Sequence, residues 1–411
     1  MSSFSYFLLA WVFLLTGSES AMYPSSSSTP LPPSKDPFYI PPTNYESTLP
    51  GTVLRIRVAP GNLTSVVGNS SVAYNILYRT TDSHYNPSWA VTTLFVPLPS
   101  SPSTQVYEAS LLSYQVPYDS PNIDASPSYA VYEGGYTDIS LALGRGWYVN
   151  MPDYEGPFAA FTVGVRAGHA TLDSVRAVLS SGFGLAADAR YALWGYSGGA
   201  LASEWAAELQ VQYSPELNFR GAALGGLTPN VSSTIESVTG TTFAGLIPLG
   251  LLGMGNEYPQ LFKFLLKKLK STGPYNRTTF LSAKHMTPIS TLRRFALQDI
   301  YEYFIDGSAD LQSSVLQQVI NRNGLMGYHG VPQMPLFVYQ AIADEIGKIE
   351  ETDALVSKYC AAGADILYQR NTVGGHSEEA VNGDARAFEW LSRVLDGTYS
   401  SMGCTIQNVT L

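Results

Sequence analysis

At 411 residues, the chain is long enough for one large domain carrying an insertion, or for two ordinary domains. Hydrophobic residues make up 45% and charged residues only 14%, which excludes a disordered chain and leaves Ser, Thr, Asn, Tyr and Gly to form much of the surface. The formal net charge of -10, with no Lys/Arg cluster suited to a polyanion, argues against a nucleic-acid partner.

The first element is FLLAWVFLL, residues 7 to 15, which is too short to span a bilayer and is followed by GSESA. It reads as a signal peptide over 1–21, and so predicts a secreted, extracellular product, although no basic residue precedes the run; a retained anchor is the alternative. Residues 22–50 are rich in Pro and Ser without a period and read as an extended leader crossing a surface. Acceptor triplets for N-glycosylation begin at Asn62, Asn69, Asn230, Asn276 and Asn408, in keeping with secretion.

From residue 51 the runs VLRIRV, VAYNILYRT and AVTTLFVPL have the β-branched and aromatic content of strands, with Pro and Gly as stops. The pattern changes at ASLLSYQV, which is almost continuously apolar. GWYVNMP, YALWGYS, FRGAALGG, MPLFVYQAI and ADILYQR follow in the same manner, as strands covered on both faces do in parallel sheets. Helical stretches such as TLDSVRAVLSSG (171–182) and GGALASEWAAELQ (198–210) lie between them. This alternation predicts an α/β fold with helices on both faces of the sheet, its core split over 51–226 and 331–411.

Between 227 and 330 the alternation lapses into mostly helical segments divided by Gly and Pro, an insertion placed to cover the carboxyl ends of the strands. Within it, KFLLKKLKS is a basic amphipathic patch that reads as a solvated helix face, with transient contact to a lipid interface as the alternative.

YALWGYSGG places Gly195 and Gly199 two positions either side of Ser197, between an apolar strand and an amphipathic helix. That is the context a G-x-S-x-G nucleophile turn requires, since small residues let a strand bend abruptly into a helix. The plain alternative is an N-cap serine. A serine nucleophile needs a base, and five histidines are available: His84, His169, His285, His329 and His376. His376, in RNTVGGHSEEA after the last predicted strand, is best placed; His329, just before a strand, is the competitor from the opposite end. Asp344 and Glu345 follow the strand MPLFVYQAI. Asp344 needs less loop reach to orient the imidazole, while Glu345 is free to face solvent or pair with Lys348. Asp365, at the start of the next strand, reads as turn chemistry. The order Ser197, Asp344, His376 is the α/β-hydrolase order. Gly198 N–H is the natural oxyanion donor, and SYQVPYDSP offers a second from Tyr118, Asp119 or Ser120, among which the sequence does not choose. Cys360 and Cys404 form a disulfide in an oxidising compartment and otherwise remain two thiols.

The stretches DPFYIPP, LYRTT, SYQVPYDS, SPSYAV, GWYVNMPDYEGP and YCAAGADI, together with GYSGG and GGH, resemble the fungal secretory lipases, the α/β-hydrolase family of Candida antarctica lipase A, over roughly 36–404. The resemblance implies an α/β-hydrolase fold with a mainly helical cap bearing an acyl-chain tunnel and a lid. It also implies ester hydrolysis without metal or organic cofactor; a monomer is the separate expectation for the chain's assembly. The family's nucleophile, acid and base fall on Ser197, Asp344 and His376, its oxyanion residues on Gly198 and Asp119, and one of its disulfides on Cys360 and Cys404. Two departures stand out: Ala125 occupies a position that is commonly cysteine, and ADEIGKIEETD lacks a proline-rich approach to the next helix. The leading expectation is an acylglycerol lipase acting on lipid or other acyl esters. The competitor is an esterase for small acyl esters or acetylated fungal metabolites such as trichothecenes; acyl transfer or peptide hydrolysis, which can use the same acyl-enzyme, comes next, and a retired hydrolase acting as a binding or surface protein comes last.

Overall fold

In a computed structural model that describes residues 22–23, 29–99, 109–186 and 188–411, the backbone is organised around one eleven-stranded sheet. The segment read as a signal peptide lies outside the described residues. The strands are β1 (Met22–Tyr23), β2 (Val53–Val58), β3 (Ser70–Thr81), β4 (Pro87–Pro97), β5 (Leu111–Gln115), β6 (Tyr148–Pro152), β7 (Tyr191–Tyr196), β8 (Gly221–Gly225), β9 (Leu336–Ala341), β10 (Ile366–Asn371) and β11 (Cys404–Val409). Their spatial order is β1-β2-β3-β4-β6-β5-β7-β8-β9-β10-β11. β2, β3, β4 and β6 pair antiparallel in turn, and every pairing from β6 across to β11 is parallel.

The continuous apolar runs follow from this topology. Along β7, Leu193 packs toward one face while Ala192 and Trp194 pack toward the other, and all three are buried. The first face carries the Gly164–Leu179, Gly198–Tyr213 and Ile349–Ala361 helices. The second carries Thr137–Gly144 and Asp384–Leu395. The helix read from Thr171 begins earlier, at Gly164. Gly164 and Gly168 disguise it because glycine lowers helix propensity, yet a side chain at Gly164 would collide with buried Trp205. The C-terminal tail forms β11 against β10, an element absent from the sequence reading. A disulfide between Cys360 and Cys404 ties the tail to the Ile349–Ala361 helix.

Between β8 and β9 the chain leaves the sheet for a series of short helices running from Val231–Val238 to Ser314–Asn323. They enclose their own apolar core around Phe280, Phe295 and Tyr303, which extends to Phe161 and Ile346 at the sheet side. No helix among the described residues is long and apolar enough to cross a membrane.

Candidate active site

β7 ends at Tyr196 and the next helix begins at Gly198, so a single residue makes the turn. Ser197 does so at φ 52° and ψ -122°, a region an L-residue occupies only under strain of about 1–3 kcal/mol. Its N–H bonds Gly225 O at 2.9 Å in β8, and its carbonyl accepts from Leu201 N at 2.9 Å, which offsets that strain locally. The flanking glycines are steric necessities. A Cβ on Gly195 would collide with the Gly199 carbonyl, and one on Gly199 with the Gln115 carbonyl.

Two loops from neighbouring strands close over this turn. His376 follows β10, and its Nε2 lies 2.9 Å from Ser197 Oγ. Asp344 follows β9, and its Oδ2 lies 2.8 Å from His376 Nδ1. The other oxygen of Asp344 accepts the N–H groups of Ile346 at 2.9 Å and Gly347 at 2.8 Å, so the carboxylate is fixed by its own loop. Both residues are buried. The arrangement gives Ser197 Oγ a path for its proton to Nε2, with an anion behind Nδ1 to stabilise the resulting imidazolium.

The remaining histidines lie elsewhere. His329 is held at the far half of the helix leaving the turn: its N–H donates to Glu208 and its ring packs on Trp205. His169 is stacked on Tyr213 inside the Gly164–Leu179 helix, and burial pushes its pKa down to about 3, leaving it neutral. His84 sits with Asp82 and Glu257 at metal-ligand spacing, but both oxygens of Glu257 are engaged by Arg166 and Ser83. Asp365 accepts from Tyr399 and Met402, as a turn residue at the amino end of β10. Glu345 neither pairs with Lys348 nor faces only solvent: its Oε2 accepts His376 N–H at 2.8 Å.

Gly198 opens the helix after Ser197, so its N–H has no intrahelical acceptor and is available to a developing anion. Asp119 comes from the loop after β5, also at positive φ (43°), with Oδ1 packed over the Gly198 Cα. That oxygen has no hydrogen-bond partner. The residue is half-buried because it borders a cavity, while its carboxyl is removed from bulk water. Burial raises its pKa to about 6, against the opposing influence of the His376 charge. In its acid form Asp119 is a donor; ionised, it only accepts.

Ser197, Gly198 and Asp119 form one end of a cavity that is partly open to solvent. Its other walls come largely from the inserted helices, including Val231, Ile235, Ile247, Leu251 and Met254. Sequence reading identified the polar end and missed the particular cap residues, whose apolar character is equally that of helix-packing positions.

With this geometry in place, similarity to known proteins becomes informative. Residues 132–403 match the family model described as secretory lipase. The chain belongs to the secretory lipase family. Among its relatives, the trichothecene C-3 esterase of Fusarium sporotrichioides is 53% identical over 94% of this chain and 90% of that protein. Lipase A of Arthroderma benhamiae is 38% identical over 95% of this chain and 86% of its own. The X-ray structure of Candida antarctica lipase A in its closed state superposes with a TM-score of 0.81 at 27% identity, covering 93% of this chain and 91% of the other. This secretory lipase family member is therefore a carboxylic ester hydrolase of the α/β-hydrolase fold.

Proposed function

We propose that the chain is a secreted serine esterase in which Ser197 is the nucleophile, His376 the general base and Asp344 its orienting acid. The observation that carries this reading is the continuous hydrogen-bonded path from Ser197 Oγ to Asp344 Oδ2, at 2.9 and 2.8 Å, built on a strained turn. His376 takes the Ser197 proton as Oγ attacks the ester carbonyl, while Gly198 N–H and the Asp119 loop stabilise the oxyanion. The imidazolium then protonates the departing alcohol, leaving an acyl-enzyme. Water, deprotonated by His376, releases the acid and restores Ser197. Secretion is supported by the apolar run at 7–15 and by the family.

For the alcohol, the 53% identity across nearly the whole chain favours an acetylated trichothecene-type metabolite. This reverses the order expected from the sequence. Acylglycerol is the second reading, favoured by the apolar walls of the cavity, which suit a hydrocarbon chain.

The test is a panel of an acetylated trichothecene, a triacylglycerol and long-chain nitrophenyl esters, with Ser197→Ala as background. Ser197→Ala is expected to lose roughly 10⁴- to 10⁶-fold in kcat with folding intact. Full turnover by that variant rejects the nucleophile. A preference for long-chain glycerides with no deacetylation rejects the first substrate reading in favour of the second.

A further inference from the structure

His376 stands at the end of a loop with little stiffness of its own. Gly374 adopts φ 82° and Gly375 follows it immediately, before a helix of only seven residues, His376–Asn382. The Asp344 contact fixes one ring nitrogen but does not fix the main chain from which the ring hangs. Two other side chains do. Glu345 Oε2 accepts the main-chain N–H of His376 at 2.8 Å, and Tyr196 Oη donates to the main-chain carbonyl of His376 at 2.6 Å. The first partner is the residue after the acid, the second the residue before the nucleophile.

We propose that Tyr196 and Glu345 are positioning residues that clamp the backbone of His376 from both sides, making the base's location a direct consequence of where the nucleophile and acid lie. The inference rests on the reading of Ser197, His376 and Asp344 given above. Each half of the clamp has a chemical reason. His376 N–H belongs to the first turn of a helix and has no intrahelical acceptor, so a carboxylate there satisfies an otherwise orphaned donor. Burial, with Asp344 adding to it, raises the Tyr196 hydroxyl well above its ordinary pKa, which keeps it protonated and able to donate.

The surrounding glycines leave the room this needs. A Cβ on Gly226, itself at φ 57°, would lie 2.7 Å from the Tyr196 ring and 2.9 Å from His376 Cε1. A Cβ on Gly375 would collide with the Glu345 carboxylate. Gly375 has an ordinary negative φ, so alanine there strains no backbone and acts by displacing the end of Glu345.

The clamp is tested with Tyr196→Phe, Glu345→Ala, Glu345→Gln and Gly375→Ala in the full chain, beside Ser197→Ala, using a chromogenic short-chain ester. Tyr196→Phe, Glu345→Ala and Gly375→Ala are each expected to lower kcat on the order of tenfold, with KM within about twofold, because a misplaced base slows chemistry more than binding. Glu345→Gln, whose amide oxygen still accepts the His376 N–H, is expected to recover most of the kcat lost in Glu345→Ala. Glu345→Ala combined with Gly375→Ala is expected to be little worse than either alone, since both remove one contact. Melting temperatures read alongside separate positioning from stability: Tyr196→Phe removes only a hydroxyl and Glu345 is exposed. Unchanged kcat in Tyr196→Phe and Glu345→Ala, or losses confined to KM, overturns the clamp while leaving the nucleophile assignment standing. Retained turnover in Ser197→Ala overturns that assignment instead.

Discussion

Around the Ser197 cavity, the sheet and the helical insertion contribute opposite kinds of wall. The sheet side is polar and over-determined: Ser197 and Asp119 both sit at positive φ, and Asp344, His376 and Ser197 are each held by main-chain hydrogen bonds. The insertion side presents apolar side chains and Thr234 from the Val231–Val238 and Leu246–Glu257 helices, and among the described residues that line the cavity none from the insertion is charged. One side holds its polar atoms in fixed hydrogen bonds, and the other sets a shape. On the mechanism proposed above, chemistry and selectivity fall to different parts of the chain, which meet where Arg166 of the sheet-packed helix pairs with Glu257 of the insertion.

The contrast is broken most severely at Asp119. If it supplies an oxyanion donor from the sheet side, Asp119→Ala lowers kcat by about 10² to 10³ for every ester in a panel. Asp119→Asn, which keeps a neutral donor, retains more. A loss that depends on acyl chain length would place Asp119 with the selectivity wall instead.

The joint between the regions is the next largest effect. Arg166 and Glu257 are both buried, with Nη2 to Oε2 at 2.7 Å and Nε to Oε2 at 2.8 Å, and Ser83 occupies the other carboxylate oxygen. Glu257→Ala leaves a buried guanidinium unpaired and is expected to cost about 3–5 kcal/mol in denaturant unfolding. A change below about 1 kcal/mol would show that the pair does not hold the insertion to the core.

Selectivity should respond to the insertion alone. Thr234 lines the cavity and is half-buried, so Thr234→Phe narrows the apolar wall without entering the packed core. Its kcat/KM is expected to fall about tenfold for a long-chain ester relative to an acetyl ester. Equal losses on both substrates would mean that the insertion also governs chemistry.

A smaller effect is electrostatic and belongs to the sheet side. Burial raises Asp153 to about 7, although Ser128 donates to it from both N–H and Oγ. Its folded-state pKa therefore lies above the unfolded value of about 3.9. The native chain holds the extra proton between those values, so this contribution to stability is present below about pH 4 and lost as pH rises through 7. Asp153→Asn should flatten that decline in urea midpoints measured from pH 4 to 8; an unchanged slope would contradict it.

The parallel strands from β5 to β10 were readable because burial leaves mostly apolar residues to write them with. Ser197 was readable because its turn admits only small flanking residues, and Asp344 and His376 because they follow β9 and β10, parallel strands whose carboxyl ends open on the same edge of the sheet as that of β7. Tyr196 and Glu345 resisted reading for a physical reason. Their partners are main-chain atoms 180 and 31 positions away, and a main-chain acceptor or donor leaves no residue type in the sequence to match. β11 was missed because an edge strand with exposed Ile406, Gln407 and Asn408 has no buried face to impose a pattern. The walls of the cavity were hidden for the opposite reason: Ile247 and Leu251 look like any packed helix positions until the fold turns them toward Ser197.

The most direct measurement is intact-protein and peptide mass spectrometry after treatment with a serine-reactive phosphonate. A single adduct on Ser197 is predicted, formed in step with loss of esterase activity and largely abolished by His376→Ala. A folded, fully active enzyme that carries no adduct at Ser197, or one labelled at another serine as activity disappears, would contradict the account.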